Sequence, residues 1–250
     1  MNRSTEMGGP GEAFPPTRLS VIQAVRADAA DVRQRALDLI VESYWKPVYK
    51  YLRLKWRLPN EEAKDLTQGF FTHALEKSTL DRFDPSKARF RTYLRTCLEG
   101  FAANEYKAAN RLKRGGGHRH LSLDFEDADR ELKQIEPTVE IDPDELFRSE
   151  WTRSLLGGAI DSLRERCAAS GHETRFALFE AYDLEGPELE TPPTYAELAD
   201  RHGIAVTKVT NELHAARTWF REAVLDRLRQ LTASDEEFRQ EARDVLGLSL

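Results

Sequence analysis

The sequence predicts an all-α protein built as two small helical domains joined by an acidic, extended linker. Three observations carry this. Apolar residues recur at three- and four-residue steps through most of the 250-residue chain. The abundant Ala, Leu, Glu and Arg favour helix. Charge is also segregated. From Lys87 to Arg119 there are nine basic residues against two acids, and from Asp124 to Glu150 eleven acids against three bases, in a chain of net charge −6.

Residues 1–17 are rich in Gly and Pro and are expected to be disordered, with no apolar core of a secretory signal. A first helical domain is expected over 18–120. Val21, Val25, Leu37, Ile40, Val41 and Tyr44 form its first buried set, Asp28 to Arg35 holds a turn, and Pro47 starts or kinks a helix. Leu58-Pro59-Asn60 reads as a turn with Asn60 as N-cap and Glu61 and Glu62 in the first helical turn. In the helix that follows, Leu66, Phe70, Ala74 and Leu75 face inward, and Asp65, Gln68 and Phe71 lie on another face.

A second turn at Phe83-Asp84-Pro85-Ser86 offers Asp84 or Ser86 as a cap for a basic helix beginning at Phe90. Its buried stripe is Phe90, Tyr93, Leu94, Cys97, Leu98, Phe101 and Ala102. Arg91, Arg95, Lys107, Arg111, Lys113 and Arg114 stand outside the stripe among Asn104, Tyr106 and Asn110, and Gly115-Gly116-Gly117 ends the helix. A basic helix with exposed amides and aromatics is suited to gripping phosphates while presenting groups to bases.

The acidic stretch 121–143 reads as the linker, because its apolar residues keep no period. Its charge also allows it to fold back on the basic segment. The second domain, 144–232, opens with the stripe Leu146, Phe147, Trp151, Leu155, Leu156, Ile160 and Leu163. Thr194 and Glu197 form a capping-box pair before a short helix with Ala196, Leu198 and Ala199 inward. Gly203 breaks it, Ile204 plugs the turn, and a helix from Val206 buries Val209, Leu213, Ala216 and Phe220. This is a helix-turn-helix pattern whose outer face carries Thr207, Lys208, Thr210, Asn211, His214, Arg217 and Arg221. The tail, 233–250, is expected to pack back on the second domain as a helix.

Enzymatic signatures are lacking. His118 and His120 form only an H-x-H, Asp142 and Asp144 flank Pro143 in an acidic segment, and no P-loop, nucleophile-elbow or dinucleotide fingerprint occurs. No metal or other cofactor is called for. Cys97 and Cys167 fall on apolar helix faces, as buried thiols of a reducing cytosol do. No apolar run reaches the roughly 20 residues of a membrane span.

Four segments, in this order, resemble the sigma factors of bacterial RNA polymerase, specifically the small extracytoplasmic-function type of the sigma-70 family. They are E-A-K-D-L-T-Q-G-F-F, the basic helix F-R-T-Y-L-R-T-C-L-E-G-F-A-A-N-E-Y-K, P-D-E-L-F-R-S-E-W from Pro143, and the Y-A-E-L-A helix-turn-helix. The resemblance spans roughly residues 20–232 and implies a non-catalytic, cytoplasmic promoter-reading function. Asp65, Gln68 and Phe71 match positions that contact the clamp helices of core RNA polymerase. Arg91, Asn104, Lys107, Arg111, Lys113 and Arg114 fall on the segment that binds the melted minus-ten strand of promoter DNA. Lys208, Thr210, Asn211, His214 and Arg217 fall on the helix that reads the minus-thirty-five element. The linker matches the segment that threads the RNA-exit path.

Two departures stand out. Lys64 and Gly69 replace acids of the clamp-docking segment, and Glu212 lowers the positive charge of the recognition helix. Thr67 and Thr72 are candidate phosphorylation positions that would restore the missing charge, with a Ser/Thr kinase or an anti-sigma protein as candidate regulatory partners. The free protein is expected to hold its DNA-binding faces against each other or against the linker. The rival reading is a stand-alone helix-turn-helix regulator, or a sigma-like protein that no longer binds polymerase.

Overall fold

The computed structural model describes residues 20–76, 79–109, 123–133 and 142–247. No strand occurs among them. The helices are α1 (Val21–Ala24), α2 (Ala30–Lys55), α3 (Asn60–Glu76), α4 (Phe90–Ala109), α5 (Phe125–Lys133), α6 (Pro143–Ala169), α7 (Glu173–Phe179), α8 (Tyr195–His202), α9 (Val206–Gln230) and α10 (Asp235–Leu246).

Helix α2 is the axis of the molecule, with α1, α3, α5 and α6 packed around it. It runs unbroken through Pro47, which neither starts nor ends a helix. The ring removes the amide that would have bonded the carbonyl of Ser43, and the cost is offset by burial of Pro47 among core residues. Tyr44, fully buried, sits at the centre. Its ring lies 5.7 Å from Phe90 of α4, 6.5 Å from Phe147 and 6.2 Å from Trp151 of α6. Burial pushes its phenol well above the ordinary tyrosine range, although the nearby Arg91 opposes the shift.

Asn60 is the first residue of α3 rather than its cap. The amide of Ala63 bonds the carbonyl of Pro59, and the Asn60 side chain instead accepts from the Tyr49 hydroxyl at 2.7 Å. Asp84 does not cap α4 either, because its Oδ1 is taken by the amide and hydroxyl of Ser86.

The acidic segment departs from an extended linker. Residues 125–133 form α5, whose Phe125, Ala128 and Leu132 are buried against α2. Phe125 meets Trp45 and Tyr49 edge-on at 5.4 and 5.2 Å. The acids turned toward α2 find cations: Asp127 and Glu131 with Lys46, Asp129 with Arg53, and Glu131 with Lys50. The segment does fold back, onto α2 rather than the basic α4.

Helix α6 starts where a second domain was expected, with Pro143 in its first turn and Asp142 as cap. The hydrophobic core nevertheless continues across that point. Leu155 and Ala159 join Phe147 and Trp151 in the core built on α2, while Leu163 and Cys167 pack with Phe176, Phe179 and Ala216 of α7 and α9. Lys50, fully buried, bridges Glu131 of α5 and the equally buried Glu150 of α6, both at 2.5 Å. Gly158 matters for close approach. A Cβ there would meet the guanidinium of Arg227 at 2.2 Å, and that side chain passes over it to Glu42 of α2.

Helices α7, α8 and the first half of α9 form a smaller cluster around Leu178, Leu198, Ala199, Val209 and Leu213. The Thr194–Glu197 capping box is formed at the start of α8. Gly203 ends that helix at φ +63°, a left-handed conformation that glycine adopts without a Cβ clash. Ile204 packs against the cluster as the plug of the turn, whereas Ala196, expected inside, is exposed.

Candidate nucleic-acid interface

The helix-turn-helix displays Lys208, Thr210, Asn211 and His214 on the exposed side of α9, where side chains can enter a DNA groove. Arg217 is on the same side but engaged. Its guanidinium donates to both oxygens of Asp183, at 2.9 to 3.2 Å, and lies 5.6 Å from the Tyr182 ring. Glu212, which would oppose DNA if it pointed outward, turns toward α7 and pairs with Arg175 at 2.7 Å. The exposed side of α9 therefore carries less negative charge than the sequence alone implies.

On α3 the predicted surface is only partly realised. Asp65 is exposed and Gln68 half-buried, and Glu61 and Glu62 extend the acidic face. Lys64 spends its charge on Glu61 at 2.9 Å. Phe71 is not on that face. It is 1 % exposed, with its ring 5.3 Å from Phe70, and Phe70 in turn contacts Phe101 of α4. Because α3 packs against both α2 and α4, its buried arc is wider than a single stripe and takes in Phe71.

The same width removes the candidate phosphorylation positions. Thr67 is fully buried and donates its hydroxyl to the carbonyl of Ala63 at 2.7 Å. Thr72 is 8 % exposed, and its Oγ1 has no hydrogen-bond partner among the described residues. Neither hydroxyl is open to a kinase in the folded domain, and a dianionic phosphate at either would be desolvated against apolar neighbours.

Along α4 the structure separates a covered half from an open one. Arg91 is nearly buried, bonded to Glu241 of α10 and stacked 5.1 Å from the Trp151 ring. Arg95 pairs with Asp144 of α6 at 2.8 Å and more loosely with Glu99. Asn104 and Lys107, about two to three turns further on, are exposed. Between them Tyr106 is 60 % exposed, with its ring 6.5 Å from Trp56. The sequence placed Tyr106 among the exposed residues of this helix, an aromatic ring amid amides and cations. Arg111, Lys113 and Arg114, and with them His118 and His120, lie outside the described residues.

Asp142 and Asp144 are structural, one as a helix cap and the other as an ion-pair partner. No group of three or more His, Cys, Asp or Glu residues able to hold a metal is present among the described residues. Burial raises both thiols, Cys97 half-buried and Cys167 fully so. No described helix is long and apolar enough to cross a membrane.

Residues 40–112 match the family model of Sigma-70 region 2, from the middle of α2 through α3 to just past the end of α4. No curated protein and no solved structure matches the chain. The matched segment is the one that holds the exposed acidic face of α3 and the basic face of α4, and over it the chain is similar to region 2 of the sigma-70 family.

Proposed function

We propose that the protein is an extracytoplasmic-function type sigma factor, which binds core RNA polymerase in the cytoplasm and reads both the minus-ten and minus-thirty-five promoter elements. The region 2 match carries the reading, since a sigma-70 region 2 supports a role in polymerase binding and promoter melting. The finer assignments rest on placement. The acidic face of α3, with Glu62, Asp65 and Gln68, suits a basic clamp surface. Asn104, Tyr106 and Lys107 suit a melted strand, the ring stacking on a base while the cation meets the backbone. The exposed side of α9 suits a major groove, where Asn211 has a natural partner in adenine.

Helix α6, about 40 Å long, joins the two reading units while being packed along α2.

The test is run-off transcription from the gene's own upstream region with purified core polymerase. A discrete transcript that depends on the protein is expected. No transcript, together with no binding to core in the absence of DNA, would overturn the reading in favour of a stand-alone regulator.

A further inference from the structure

Helix α10 lies across the N-terminal end of α4 and brings three carboxylates to it. Glu237 accepts from the amide of Phe90, the first residue of α4, at 2.6 Å, and from the amide of Ala233 at 2.8 Å. Glu241, 1 % exposed, accepts from Nη2 of Arg91 at 3.0 and 3.1 Å and stands 3.7 Å from Arg89. Asp244 accepts from Arg89 at 2.5 Å, and Gln240 takes the Nε of the same arginine at 3.3 Å. Apolar Phe238 and Ala242 seat the helix in the core.

What these acids cover is a set of donors that α4 does not satisfy itself. Its first turn has no acid, and Asp84 is engaged by Ser86. An opening amide at the positive end of a helix dipole, flanked by two guanidiniums, is the chemistry that holds phosphate oxygens. The fit to α10 is incomplete. Glu241 uses only Nη2 of Arg91, and the buried Nε has no hydrogen-bond partner among the described residues. A phosphate spanning Nε and Nη2 would use both edges of the fork.

We propose that the opening turn of α4, with Arg89 and Arg91, is a backbone-phosphate surface for the melted promoter strand, and that α10 covers it as an internal substitute for that strand. Nucleic acid and α10 then compete for the same donors. This rests on α4 being the strand-binding helix. It adds that the chain carries its own occupant for half of that helix, whereas Asn104, Tyr106 and Lys107 remain open for first contact.

The experiment is hydrogen exchange on the full chain with and without a saturating single-stranded DNA of about 12 nucleotides. Amides 236–246 should exchange about tenfold faster with DNA, while those of α4 become protected. In parallel, a Glu237→Gln, Glu241→Gln, Asp244→Asn variant should bind the same DNA about tenfold tighter at low salt. Its log affinity should fall more steeply with log salt, by about 1.4, the expectation for two more phosphate contacts on a single strand. DNA binding that leaves α10 exchange unchanged overturns the proposal, and because that arm uses the native sequence it does not depend on the variant folding. A folded variant that binds no tighter also overturns it. If the native chain still supports run-off transcription in that case, the sigma reading stands and only the competition is lost.

Discussion

Helices α5 and α10 are both short, acidic and folded back onto the bundle around α2, and both carry acids paired with cations, but α10 adds one acid held without a cation. On α5 the carboxylates face ammonium and guanidinium groups. Hydrogen bonds from Lys46 hold Asp127 below its ordinary range. Burial alone would raise Glu131, but bonds from Lys50 and Lys46 outweigh it and the net shift is downward. On α10, Glu237 meets two amides and no direct cation. Burial pushes its carboxyl above the usual value against the bonds from Ala233 and Phe90, and neighbouring Glu241 adds to the rise. A paired acid clamps; an acid pressed against a helix end with little solvent stays attached at a cost, which is what a replaceable contact requires.

The largest effect expected in testing this contrast comes from the shared cation. Lys50→Met would leave the buried Glu150 with only the largely exposed Arg153 as partner and Glu131 with only Lys46, costing about 3 kcal/mol in urea denaturation. Adding Glu150→Leu should recover most of that loss, whereas recovery confined to repair of α5 would show that Glu131 was the important partner. Next, Glu237→Ala removes the carboxylate that caps the opening amide of α4 and one tie of α10. It should cost about 1–2 kcal/mol and raise exchange throughout 236–246.

The pH responses should then differ in sign. Asp127 and Glu131 release protons more readily when folded. Their stabilisation is full above the unfolded values of 3.8 and 4.5 and is lost as pH falls through the lower folded values. Glu237 holds its proton more tightly when folded, so its contribution weakens as pH rises from 4.5 through the raised folded value. Exchange measured from mildly to strongly acidic pH should show α10 tightening first and α5 loosening later. Loosening of both together would mean that α10 is held mainly by Arg89 and Arg91. Smallest is Lys46→Ala. Its partly exposed pairs with Asp127 and Glu131 should be worth no more than about 1 kcal/mol, and less in high salt.

Local chemistry was legible in the chain at several places where the decisive partner lies within a turn or two, although Asn60 and Asp84 do not cap the helices that follow them. The stripe of α4, the Thr194–Glu197 capping box and the glycine turn at 203 all depend on neighbours three or four residues away, and each appears where its spacing required. The sigma-like acidic and basic faces of α3 and α4 were legible for the same reason. Tertiary packing decided the rest. Phe71, Thr67 and Thr72 are buried because α3 is flanked on two sides, which helical periodicity does not encode. Glu212 is neutral toward DNA because Arg175, 37 residues away in sequence, faces it. Arg91 is covered, and α4 capped, by side chains about 150 residues downstream. Periodicity and caps are one-dimensional patterns set by the geometry of a single helix. Which acid meets which cation is a choice among many distant candidates of equal charge, and only the docking of whole helices makes it.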